Sequence, residues 1–100
     1  MKALLVCATE KEIKPLLKTG FREKGNADLL ITDPGMPSTV YYLTKLLCKK
    51  KYDLVINAGI CGSFNKNYPL GDVVNVVEDC FSDLGAEDDN RFIHISEMNL

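Results

Sequence analysis

The chain has 100 residues, 46% apolar and 26% charged, with a formal net charge of −2. This is the composition of an ordinary globular protein of one domain at most, and its balance offers no basic surface for nucleic acid. No apolar run is long enough to span a bilayer, and the N-terminal residues lack a signal-peptide pattern, so the expected setting is the cytoplasm, without a membrane partner. Cys7, Cys48, Cys61 and Cys80 show no C-x-x-C spacing and are accompanied by one histidine, His94. No metal site is expected from that set. Three of the four lie in apolar surroundings, where a reduced thiol behaves as a small hydrophobe.

Lys2–Ala8 is a continuous apolar run and reads as a first strand buried on both faces. Thr9 follows, with Glu12 three residues on, which is the spacing of a capping box. A helix is expected from about Glu10 to Lys18, turning Ile13, Leu16 and Leu17 to the sheet. Pro15 lies beyond its first turn and predicts a kink or a short helix. Lys18–Ala27 is a polar connection, and Asp28–Thr32 reads as a second strand. After the turn at Asp33-Pro34-Gly35, a helix is expected over Pro37–Lys50. Val40, Leu43, Thr44 and Leu47 form its core-facing stripe, broadened by Leu46, and three lysines follow at its C-terminus.

Tyr52–Phe64 is the stretch around which the rest is organised. Leu54, Val55 and Ile56 suit a third strand buried on both faces. The side chains then shrink through Asn57, Ala58 and Gly59, with Gly62 three residues on. Small residues at the carboxyl end of a central strand admit a ligand or another backbone, and in open α/β sheets ligands bind at that end. Val73–Val77 reads as a fourth strand running toward Phe81, Ser82–Arg91 as an acidic loop, and Phe92–Ile95 as a short strand or hairpin partner. Strands alternating with helices predict an α/β domain over residues 1–100 with a parallel or mixed sheet.

Several of these pieces together resemble the nucleoside phosphorylase and nucleosidase superfamily, and within it futalosine hydrolase. They are Cys7–Ile13 (CATEKEI), Leu30–Thr32 with Pro34-Gly35-Met36, Asp53–Phe64 (DLVINAGICGSF), Pro69–Val74 (PLGDVV), and Glu78-Asp79 with Phe81–Asp88 (FSDLGAED). They cover most of the chain in the family's order. The resemblance implies a three-layer α/β/α fold with a mostly parallel or mixed central sheet, incomplete at the C-terminus of this chain. It implies hydrolysis of the N-glycosidic bond of a purine-type nucleoside, in menaquinone biosynthesis, with no cofactor and no metal. Glu12 would match the carboxylate that activates water. Ala8, Thr9, Gly35, Met36, Gly59, Ile60, Cys61, Gly62 and Phe81 would match substrate-binding positions. The leaving-group acid and the ribose-gripping residues would come from the second half of the family domain, so the 100-residue chain alone is expected to show little or no turnover. Its open-sided sheet invites a homo-oligomer. Asp33, Pro37 and His94 depart from the family pattern, which bears on binding more than on fold.

Each feature also has a plainer reading. Glu12 can simply close the capping box with Thr9, and the Gly59–Gly62 turn can be chain geometry. It is no dinucleotide fingerprint, because G-x-G-x-x-G is absent. Cys61 with His94 as a nucleophile and base lacks an orienting partner. The acidic run at Glu87-Asp88-Asp89 lacks a calcium-loop pattern and reads as a solvated loop. Asp28–Asp33 with Met36-Pro37 is also similar to the phosphoacceptor strand of a receiver module, with Asp33 as acceptor and Glu10 and Glu12 as a poor acidic pair. A non-catalytic fragment that keeps the fold is the third alternative.

Overall fold

The computed structural model describes residues 1–21, 25 and 27–99. Residues 22–24 and 26, in the connection expected over Lys18–Ala27, lie outside the described residues. The chain divides into two compact units, Met1–Phe64 and Asn65–Leu100.

The first unit is built on a parallel sheet of β1 (Ala3–Cys7), β2 (Ala27–Ile31) and β3 (Leu54–Asn57) in the order β2-β1-β3. Ala3 stands opposite Ala27 on one side and Leu54 on the other. The ladder continues past the strands: the Thr32 N–H donates to the Cys7 carbonyl at 3.0 Å, and the Ala58 N–H to the Val6 carbonyl at 2.8 Å. As the central strand, β1 carries most of the core, with Leu4, Val6 and Cys7 buried. Opposite faces are served because successive strand side chains alternate.

Helix α1 (Glu10–Leu17) starts at the Thr9–Glu12 capping box and buries Ile13, as expected. It packs on β1. Pro15 sits inside it. The helix nevertheless closes normally: the Lys18 N–H reaches the Lys14 carbonyl at 3.2 Å, and Thr19 bonds the Leu16 carbonyl through both its N–H and its hydroxyl.

Helix α2 (Met36–Leu47) begins one residue before Pro37 and ends before the lysines. Its inward face keeps part of the expected stripe. Leu43 and Leu46 are half-buried, whereas Val40 and Leu47 are exposed. Thr32, buried at the end of β2, shares a 3.2 Å hydrogen bond between its Oγ1 and that of Thr39. Thr39, Leu43 and Leu46 recur at helical spacing, and all three are half-buried.

Strand β3 corrects a second expectation. Leu54, Val55 and Ile56 are 41%, 42% and 46% exposed, so the run is not buried on both faces. Among the described residues β3 pairs only with β1 and stands at the edge of the sheet. A continuous apolar run records β-propensity, but it does not tell a central strand from an edge.

At the amino ends of the strands, Asp28 accepts from the Tyr52 hydroxyl at 2.5 Å and from Lys50 Nζ at 3.2 Å. The Lys2 N–H donates to the Asp53 carboxylate at 2.6 Å. These bonds join β2 and β1 to the residues that enter β3.

The second unit holds an antiparallel hairpin, β4 (Gly85–Asp88) and β5 (Arg91–His94), followed by a 3₁₀ turn over Ile95–Glu97. Within the acidic stretch Ser82–Arg91 read as a loop, Gly85–Asp88 and Arg91 are therefore strand. Asp89, at φ 54°, and Asn90 make the two-residue connection, which is hairpin chemistry. Gly85 is required by packing: a Cβ there would lie 2.2 Å from the Ile93 carbonyl oxygen. Val73–Val77, expected as a strand, has no strand structure, and Val73 and Val77 are almost wholly exposed. Valine favours extended backbone, but a strand also needs a pairing partner.

Candidate functional site

In the β2-β1-β3 order the chain leaves β1 toward β2 on one side, then crosses to β3 on the other. The boundary between β1 and β3 is thus the switch point of the sheet, and the crevice beyond the carboxyl ends of such a pair is where open α/β sheets bind ligands. Two of the sequence's candidate stretches flank that boundary. Ala8, Thr9 and Glu12 follow β1, and Gly59–Gly62 follow β3.

Glu12 joins them. Its Oε2 accepts the Thr9 backbone N–H at 2.8 Å and the Thr9 hydroxyl at 3.1 Å. The Thr9 hydroxyl in turn accepts the Glu12 N–H at 3.4 Å. Its other oxygen, Oε1, accepts the Ile60 N–H at 3.4 Å, across 48 residues of sequence. The side chain therefore closes the capping box with one oxygen and touches the turn after β3 with the other. The capping role is thus present, and it leaves Oε1 directed at the turn after β3.

These donors stabilise the charged form. The Thr9 backbone N–H is the largest influence that holds the Glu12 carboxyl below its ordinary value, opposed by partial desolvation and helped by Ile60, the Thr9 hydroxyl and Ala8. Glu12 is ionised at neutral pH and can accept a proton or hold a water. Beneath it lies the buried thiol of Cys7, which burial pushes up, with the Glu12 charge adding to the effect. Cys7 is protonated and inert there. Cys48, Cys61 and Cys80 are exposed, so only one cysteine is the buried hydrophobe that the sequence suggested for three.

The remaining candidates are placed differently. Cys61 and Gly62 continue the turn on the exposed side, and a Cβ at Gly62 would meet nothing within 4 Å. Gly35 and Met36 begin α2 beyond the edge strand β2 and are exposed; the bonds of Glu12 do not reach them. Asp33 adopts a left-handed backbone with φ 63°. Phe81 belongs to the second unit, where its carbonyl accepts from His94 Nε2 at 2.7 Å. The other His94 nitrogen, Nδ1, meets Ser96 Oγ at 2.7 Å. Both ring nitrogens are engaged within that unit, which weakens the pairing of Cys61 with His94. Among the described residues, no three His, Cys, Asp or Glu side chains gather closely enough to hold a metal ion, and no helix is long and apolar enough to cross a membrane.

The residue that sequence reasoning missed is Ile60 as a main-chain donor. Glycine spacing marked its turn, but no local pattern announces a backbone N–H aimed at a carboxylate 48 residues away. No protein-family model, no curated protein and no solved structure matches the chain.

Proposed function

We propose that the chain carries part of a nucleosidase site, which hydrolyses the N-glycosidic bond of a purine-type nucleoside of the futalosine kind without a cofactor. The junction of Glu12 with Gly59–Ile60 at the β1/β3 switch point is the observation that supports this best. Glu12, ionised, takes a proton from water as the water oxygen attacks C1′ of the ribose. The C1′–N bond breaks with its electron pair going to the base. This passes through an oxocarbenium-like state, which a nearby carboxylate also stabilises by charge. The exposed backbone of Gly59–Gly62 is the surface against which the sugar would lie.

The surrounding fold is proposed as one half of a three-layer α/β/α domain. Crossovers between parallel strands are right-handed. The two here run in opposite directions along the sheet, so right-handed crossovers would put α1 and α2 on opposite faces. The open edge of β3 favours a homo-oligomer.

Incubation of excess protein with inosine or futalosine, followed by chromatography, tests the proposal. Free base and unphosphorylated sugar should appear, at a rate well below the roughly 1 per second of ordinary enzymes and indifferent to inorganic phosphate. A carboxylate beside the attacking position disfavours a phosphate nucleophile. Sugar 1-phosphate that rises with phosphate, or turnover by this chain alone at about 1 per second or faster, would contradict the proposal.

A further inference from the structure

The two oxygens of Glu12 are not equivalent. Oε2 is occupied twice by Thr9, at 2.8 and 3.1 Å, whereas Oε1 has one long bond of 3.4 Å from Ile60 N–H. The space over Oε1 exists because residue 59 has no side chain. A Cβ built there would lie 3.3 Å from Oε1 and 3.8 Å from the carboxyl carbon. Neither Gly59 nor Gly62 has a left-handed backbone, so conformation does not demand glycine at either. At Gly62 an added Cβ meets open space. The demand at Gly59 comes from the carboxylate.

We infer that Gly59 is a positioning residue for Glu12: its missing side chain keeps Oε1 open as the proton-accepting oxygen, while Thr9 occupies Oε2. This rests on Glu12 as the base of the proposed nucleosidase. An alanine methyl at 59 must push Oε1 aside by a few tenths of an ångström, because real Cβ contacts are rarely so tight. The carboxylate cannot simply turn away, since Thr9 pins its other oxygen. Displacement lengthens the Ile60 bond, and the methyl shields Oε1 from water. Both effects disfavour the charged form, so they act in one direction.

The test is a carbon-detected NMR titration of the Glu12 carboxyl in the wild-type chain, Gly59→Ala and Gly62→Ala, with base release from inosine measured on the same samples. The Glu12 midpoint should rise in Gly59→Ala and stay at the wild-type value in Gly62→Ala. Base release should fall by at least about tenfold in Gly59→Ala, as expected when a reacting group is misplaced. If Gly59→Ala fails to fold, Thr9→Val and Thr9→Ser replace it: removing the hydroxyl should raise the midpoint, and serine should restore it. A Glu12 midpoint unmoved in Gly59→Ala, or moved equally by Gly62→Ala, overturns the role of Gly59. If Thr9→Val leaves the midpoint unmoved, the asymmetry between the oxygens is overturned. A midpoint that moves as expected while Glu12→Gln leaves base release unchanged overturns the nucleosidase reading instead.

Discussion

Thr9 and Glu12 share one set of hydrogen bonds, yet substitutions at the two positions should separate stability from chemistry. Thr9→Ala removes a hydroxyl that accepts the Glu12 N–H at 3.4 Å and donates to Oε2 at 3.1 Å. Loss of an N-cap side chain costs about 0.5–2 kcal/mol. Both bonds are longer than ideal, which places this one in the lower half, at about 0.5–1 kcal/mol. For a domain of this size that is a fall in melting temperature of about 2–8 °C. The Thr9 backbone N–H remains to hold Glu12, so base release should fall by less than about tenfold, against the larger range open to a lost general base. Glu12→Gln does the opposite. Glutamine closes a capping box as well as glutamate does, so melting at neutral pH should stay within about 2 °C of wild type. Its amide cannot take a proton from water, so in the completed enzyme base release should fall by roughly 10²–10⁴-fold. The small wild-type advantage in melting has a defined pH window. The Glu12 carboxyl is held below its ordinary value of 4.5, so its stabilisation is present above 4.5 and disappears as pH falls through the lower folded-state value. Melting curves of both variants across that range, with initial rates at neutral pH, are the assay. Base release in Glu12→Gln within a few-fold of wild type would leave Glu12 as a cap alone.

Other outcomes follow from the rest of the molecule. The Tyr52 hydroxyl, bound to Asp28, is pushed up to about 12; its stabilisation is complete below the ordinary value of 10 and is lost as pH rises through about 12. A tyrosinate titration should therefore show a late component that Tyr52→Phe removes. A thiol reagent should label Cys48, Cys61 and Cys80 in the folded protein and Cys7 only after unfolding, because Cys7 alone of the four is buried; rapid labelling of Cys7 would contradict the packing around β1. Gly85→Ala should abolish the cross-strand contacts between Gly85 and His94 in nuclear Overhauser spectra, since the methyl would overlap the Ile93 carbonyl; their survival would refute the hairpin register. Val55→Lys, which puts a charge on the open edge of β3, should shift any self-associated species toward monomer in sedimentation experiments; an unaffected distribution would move the interface elsewhere.

The first unit was largely legible because its signals are local. Continuous apolar runs marked β1, β2 and β3, and the Thr9–Glu12 spacing placed the start of α1 to the residue. What was not legible depends on partners distant in sequence. Which part of the α2 stripe is covered depends on neighbours across the fold, and the exposure of β3 on its place at the edge. Val73–Val77 shows the same limit from the other side, with strong propensity and no partner. Gly85–Asp88 carries small and acidic residues of low β-propensity, and its strand is made by the register with Arg91–His94 and the Asp89-Asn90 turn. The candidate site divides in the same way: Thr9 and Glu12 were readable as a pair, and their meeting with Gly59 and Ile60 was not.

The central place of β1 has a consequence for how the chain is made. Of the three strands of this sheet the earliest in the chain needs partners that begin 24 residues later on one side and 51 residues later on the other, counting from Ala3 to Ala27 and to Leu54. The entropic penalty of closing the longer span exceeds that of the shorter by only about 0.6 kcal/mol, because it grows with the logarithm of length. Neither pairing is strongly favoured to come first by chain statistics. Until Asn57 has left the ribosome, however, one flank of β1 has no partner at all. The apolar segment Leu4–Cys7 therefore lacks one of its two neighbours for most of the synthesis of this unit, and an unpaired apolar strand is the kind of edge that other strands can join.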